Sequence, residues 1–132
     1  MIDPIKIALL QLSSNDKPEE NHEQIENYLH DSLVGNPRFI LTPEVSNFIS
    51  MDKELRRNSL YIEQKDPILR LVKEFSLKNK VWILIGSLAL KIDEKVNDIY
   101  SNRSLLINPK GEIVARYDKI HMFDIKLKKN KN

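Results

Sequence analysis

The chain has 132 residues, 41% of them hydrophobic and 30% charged, with a formal net charge of +2 and no cysteine; this fits one small globular domain and excludes disulfides and thiolate metal sites. No apolar run approaches the roughly 20 residues of a membrane-spanning helix. So small a charge argues for neither nucleic acid nor a membrane as partner, and its excess is local, because Lys126, Lys128, Lys129 and Lys131 stand in a terminal run whose last residues, 128–132, read as a basic disordered tail.

In chain order, Met1-Ile2-Asp3-Pro4 carries no charged-then-apolar signal pattern, so the expected compartment is cytoplasmic. Ile5 to Leu12 reads as a buried strand. Asp16 is expected to cap a helix that has Pro18 and Glu19 in its first turn and Ile25, Tyr28, Leu29 and Leu33 on one face. Gly35 and Asn36 supply its stop. Phe39-Ile40-Leu41 is a second strand, ended by Thr42-Pro43, so Glu44 falls just past its C-terminal end. Residues 52–62 are charged and predicted helical. Asp66-Pro67 opens a clearer helix with Ile68, Leu71, Val72 and Phe75 as its apolar stripe. Val81 to Ile85, closed by Gly86, reads as a central strand buried on both faces. Residues 91–98 are a polar connection, and Ser104 to Ile107 is strand. Asn108-Pro109-Lys110-Gly111 is a turn, and a last strand alternates Ile113, Ala115 and Tyr117 with Val114 and Arg116. The order β-α-β-α-β-β-β predicts parallel pairing among the first three strands and an α/β layered fold.

Two segments carry a resemblance. Phe39-Ile40-Leu41-Thr42-Pro43-Glu44 is similar to the strand-then-Pro-Glu motif of the nitrilase, or carbon–nitrogen hydrolase, family. The run from Asn102 through Asn108-Pro109-Lys110-Gly111 to Tyr117-Asp118-Lys119-Ile120-His121-Met122-Phe123-Asp124 resembles the hairpin and lysine-bearing segment of the same family, in its amidase-like branch. The order and separation of the two motifs match, and the resemblance covers residues 4–127. It implies the N-terminal portion of an α-β-β-α sandwich, incomplete here, and a Glu-Lys-Cys triad. Glu44 then occupies the general-base position and Lys119 the oxyanion-stabilising position. The cysteine, and a second family glutamate, belong after the lysine motif and are absent; the divergent Lys126–Asn132 reads as a premature end.

The implied reaction is hydrolysis of a non-peptide C–N bond in a small amide or nitrile. A thiolate forms the acyl intermediate, a carboxylate takes its proton and later activates water, and a fixed ammonium stabilises the oxyanion. Glu44 and Lys119 both sit at predicted strand ends, where sites gather in open α/β sheets. Taken singly, each reads as an ordinary surface charge. Asn47 and Phe48 follow the glutamate and are candidates to line a substrate pocket or merely to pack the loop. Asn102 is expected to brace the hairpin, and His121 to pack or hydrogen-bond. Trp82 and Tyr28 are expected in the core. His22 and His30, eight apart on a helix, lack zinc-site spacing, so no metal is expected, and no cofactor either.

Half a sandwich leaves apolar sheet surface wet. At about 25 cal/mol per Å², a few hundred Å² weakens a domain by several kcal/mol, comparable with its whole net stability. The expected outcomes are marginal stability, homo-oligomerisation through the exposed face, or a complementing chain. Three functional readings stand: a truncated hydrolase inactive alone, one half of a split enzyme completed by a cysteine-bearing chain, and a non-catalytic α/β interaction module.

Overall fold

The computed structural model describes residues 2–120. Five strands form one sheet in the order of the chain: β1 (Ile7–Leu9), β2 (Phe39–Leu41), β3 (Trp82–Lys91), β4 (Tyr100–Ile107) and β5 (Ile113–Asp118). The first three are parallel, as the alternation with helices requires, and β3, β4 and β5 are successively antiparallel. Three helices, α1 (Pro18–Ser32), α2 (Lys53–Ser59) and α3 (Pro67–Asn79), complete the α/β architecture.

The helix ends follow from local chemistry. Asp66 Oδ1 accepts from Leu69 N at 2.8 Å and Pro67 takes the first position of α3, where its lost N–H is no loss. Asp52 Oδ1 caps α2 in the same way, accepting from Leu55 N at 2.9 Å. Asp16 does not cap α1. The helix starts after Lys17, and the Asn15 side chain accepts from Lys17 N at 2.8 Å instead. Asn36 (φ 50°) and Lys80 (φ 54°) take the left-handed conformation that terminates α1 with its following 3-10 turn and α3.

One face of the sheet is covered. Ile25 and Leu29 of α1 and Ile68, Val72 and Phe75 of α3 are buried together with Ile40, Ile83, Ile85, Leu105 and Ile107 of the strands. The opposite face is open. Its rows follow from the register: Ile7 beside Phe39 beside Trp82, and Leu9 beside Leu41, Leu84, Leu106 and Ala115. Ile7 is 58% exposed, Leu9 75% and Trp82 36%. So β1 and β3, read from sequence as buried strands, are each buried on one face only, and Trp82 stands on the wet side. Tyr28 also lies outside the core.

Two irregularities were not expected. β3 does not end at Gly86 but runs on to Lys91 through a register shift between Ile85 and Leu88. A second shift, between Leu106 and Ile107, sends Ala115 to the open face and Ile113 to the covered one, which breaks the simple alternation read along β5. The turn before it is as predicted: Gly111 N donates to Asn108 O at 2.9 Å, with Gly111 at φ 73°. Among the described residues no helix is long and apolar enough to cross a membrane. The basic tail over 128–132 and His121 lie outside the described residues.

Candidate functional site

The site begins where β2 stops. Pro43 ends the ladder, and the chain turns through Glu44 to Val45, whose φ of 48° is costly for a β-branched residue. Several bonds hold that turn. Val45 N donates to Ser87 Oγ at 2.8 Å and Ser46 N to Ser87 O at 3.0 Å. The Ser46 hydroxyl lies 2.6 Å from Pro43 O and 2.9 Å from Thr42 Oγ1. Gly86 explains why the turn can sit so close to β3. A Cβ there would fall 2.4 Å from Thr42 O and 2.5 Å from the Pro43 carbonyl, so only glycine permits the approach.

Lys119 arrives from the other side of the sheet, one residue past β5. Its backbone N–H donates to Asn102 O at 2.9 Å, which extends the β4–β5 ladder by one step. On the covered face, Glu63 binds Arg116 through both carboxylate oxygens, at 2.8 and 2.9 Å, and Arg103 at 3.2 Å, while Arg103 also binds Asp118 at 2.6 and 3.0 Å. This network clamps β5 down to the residue before Lys119. The Arg116 guanidinium, then that of Arg103, holds the Glu63 carboxyl below the usual range, and Arg103 does the same to Asp118.

The two elements bring their charged side chains together. Lys119 Nζ donates to Glu44 Oε2 at 3.1 Å, although 75 residues separate them. The pair sits in a cleft of about 340 Å³ on the open face, lined also by Gly86, Ser87, Asn102, Ser104 and Tyr117. Glu44 is 68% exposed and Lys119 35%. A carboxylate and an ammonium at this distance present a proton acceptor and a fixed donor to one reacting centre. The 132 residues contain no thiol to complete them.

Asn47 and Phe48 do not line this cleft. Asn47 is spent on structure: its Nδ2 donates to Ala89 O at 2.8 Å, its Oδ1 accepts from Ala89 N at 2.9 Å, and its carbonyl accepts from Asn21 Nδ2 at 3.0 Å. It faces a separate cavity of about 240 Å³ between the first turns of α1 and α3, with His22, Tyr61 and Asp66. Phe48 is buried in the core. The cleft's walls are instead Ser104 and Tyr117, register partners on β4 and β5. Tyr117 stands two residues before Lys119, and that spacing on a strand was the available signal. Gly86 and Ser87 were missed because their role depends on pairing with a loop 42 residues away. Among the described residues no group of three or more acidic or histidine side chains is placed to hold a metal ion.

Comparison with known proteins places this geometry in context. The family model described as carbon–nitrogen hydrolase matches residues 6–132. The chain is similar to the deaminated glutathione amidase of Yersinia enterocolitica, 35% identical over 124 residues, covering 92% of this chain and 42% of that one. Among solved structures it resembles the C. elegans NitFhit protein, with a TM-score of 0.80, 23% identity, and coverage of 95% of this chain and 30% of that one. It also resembles a mutant amidase from Nesterenkonia sp. AN1 with acrylamide added at its active site cysteine: TM-score 0.72, 18% identity, 92% of this chain and 46% of the other. These structural likenesses bear on the fold. The chain thus spans less than half the length of the relatives it matches.

Proposed function

The chain belongs to the carbon–nitrogen hydrolase family, and from that premise we propose that it supplies the glutamate and lysine of an amide-hydrolysing centre whose cysteine comes from a segment lying on the open sheet face, in the same polypeptide or another. The observation that carries this reading is the 3.1 Å contact between Lys119 and Glu44 at the rim of an uncovered apolar face, in a sequence without a thiol. The substrate class is a small amide or nitrile, by analogy with relatives named as amidases. A reducing, cytoplasmic setting suits such a thiol.

The roles follow from the chemistry. Glu44 takes the proton of the incoming thiol as sulfur bonds to the substrate carbonyl carbon. Lys119 donates to the oxyanion of the tetrahedral adduct, a contribution of about 3 kcal/mol for one such donor. As the C–N bond breaks, the proton held by Glu44 leaves with the amine. Glu44 then takes a proton from water, which attacks the thioester and releases the carboxylic acid and the thiol. Covering the cleft removes solvent from the pair and strengthens both interactions. The chain alone is inactive on this account, because loss of the nucleophile removes most of the rate enhancement of such a unit.

The test is amide hydrolysis by the purified chain, alone and mixed with the segment of the Nesterenkonia amidase that carries its active site cysteine. The expected result is no turnover alone and turnover in the mixture that disappears in Glu44→Gln. Turnover by the chain alone that Glu44→Gln abolishes would overturn the incomplete-centre reading. A second reading, a non-catalytic interaction module, is favoured by the missing thiol together with the open apolar face; a mixture that associates but never hydrolyses would support it.

A further inference from the structure

One wall of the cleft holds a polar atom that the proposed chemistry has not used. Asn102 Oδ1 is fully buried, yet no hydrogen-bond donor reaches it among the described residues. A buried carbonyl oxygen without a donor is unfavourable, so one that persists beside a charged pair calls for an explanation. Asn102 and Lys119 are register partners. Arg103 pairs with Asp118 and Ser104 with Tyr117, and Lys119 N donates to Asn102 O at 2.9 Å. Directly opposed residues on one face of an antiparallel pair have their Cβ atoms about 5 Å apart. Both side chains line the same cleft.

The ammonium has donors to fill that acceptor. A lysine carries three N–H groups, and Lys119 gives one of them to Glu44. We propose that Asn102 is a positioning residue for Lys119: its Oδ1, unmet in this structure, receives a second ammonium proton once the Lys119 side chain rotates toward it, and fixes where the third points when a substrate oxygen arrives. A lysine held only by a carboxylate follows that carboxylate. Glu44 must gain and lose a proton during the reaction, and its attraction for the ammonium falls each time it is protonated. A neutral acceptor on the neighbouring strand holds the ammonium through that change. This inference rests on the reading of Glu44 and Lys119 as a reacting pair.

Trace acetylation of the full chain with acetic anhydride, read by peptide mass spectrometry, tests it. Lys119 is scored against exposed Lys53 and Lys110, which fix the reagent dose, and against half-buried Lys91, whose ammonium donates to Arg57 O and whose labelling reports general loss of structure. In Asn102→Ala the relative labelling of Lys119 is expected to rise at least about tenfold, the effect of one lost hydrogen bond to a charged group. Asn102→Asp keeps an acceptor oxygen and should stay at or below the wild-type rate. The proposal is overturned if Asn102→Ala leaves Lys119 unchanged, or if Asn102→Asp rises as far as Asn102→Ala. Glu44→Gln separates the two levels. A rise there with no rise in Asn102→Ala removes only the role of Asn102, whereas no rise in either removes the reacting pair as well.

Discussion

Gly86 and Asp66 show how much single positions decide here. At Gly86 any Cβ meets backbone atoms of Thr42 and Pro43 at 2.4–2.5 Å, and backbone cannot swing aside as a side-chain tip can. Gly86→Ala is therefore expected to destabilise by about 1–3 kcal/mol, seen as a lower urea midpoint, and to displace the turn that carries Glu44. Asp66 is a different case. Its carboxyl is almost wholly buried, and desolvation raises it above the ordinary aspartate range despite the cap bond to Leu69 N. A raised carboxyl binds its proton more tightly in the folded chain, so its contribution is favourable at low pH and is lost as pH climbs through the raised value. Asp66→Asn keeps the capping oxygen without the charge. Its stability relative to wild type should therefore improve as pH rises above the ordinary aspartate range and level off above the raised value, measured by urea unfolding across the acid-to-neutral range. Glu44 was legible in sequence because proline ends a strand by itself. The need for glycine at position 86 was not, because it depends on a partner far along the chain.

At the level of elements, the clamp between the 3-10 turn at Glu63–Lys65 and the last two strands matters most for the site. Glu63 and Asp118 have depressed carboxyls, held down chiefly by Arg116 and Arg103 respectively. Depressed carboxyls contribute stability that is present above the ordinary carboxylate range and lost as pH falls through the lowered value. Glu63→Gln should therefore be less stable than wild type at pH 7, with the gap closing as both are acidified; thermal melts at the two extremes check this. The strands themselves were legible. Their order, the parallel trio and the Asn108–Gly111 turn follow from apolar runs punctuated by turn residues. What misled was β3, where an apolar residue at every position reads as burial on both sides. Ile83 and Ile85 do lie under the helices, but Trp82 and Leu84 face the opposite side, where Trp82 is exposed and Leu84 only half-buried. The register shifts were not legible either, since a bulge is a property of a pair of strands.

For the whole molecule, the open face dominates. Ile7, Leu9 and Trp82, with the half-covered Leu41, Leu84 and Leu106, form contiguous rows of apolar side chains, and such a surface favours association. Sedimentation velocity is expected to show concentration-dependent self-association, and a Leu9→Lys, Trp82→Lys double variant should stay monomeric with its helical circular dichroism intact. A monomer in wild type at high concentration would mean the face is tolerated in water. The same face holds the carboxylate–ammonium pair, so under the proposed function covering it and completing the reaction centre are one event. The most direct measurement therefore removes association as a variable. Residues 1–120 of this chain are joined in one polypeptide to the remainder of the Nesterenkonia amidase, with its active site cysteine, and hydrolysis of a small amide is followed. The account predicts turnover that falls by at least about a hundredfold in either Glu44→Gln or Lys119→Met, the scale seen when one charged group leaves a catalytic unit. A folded, active chimera indifferent to both substitutions would contradict it.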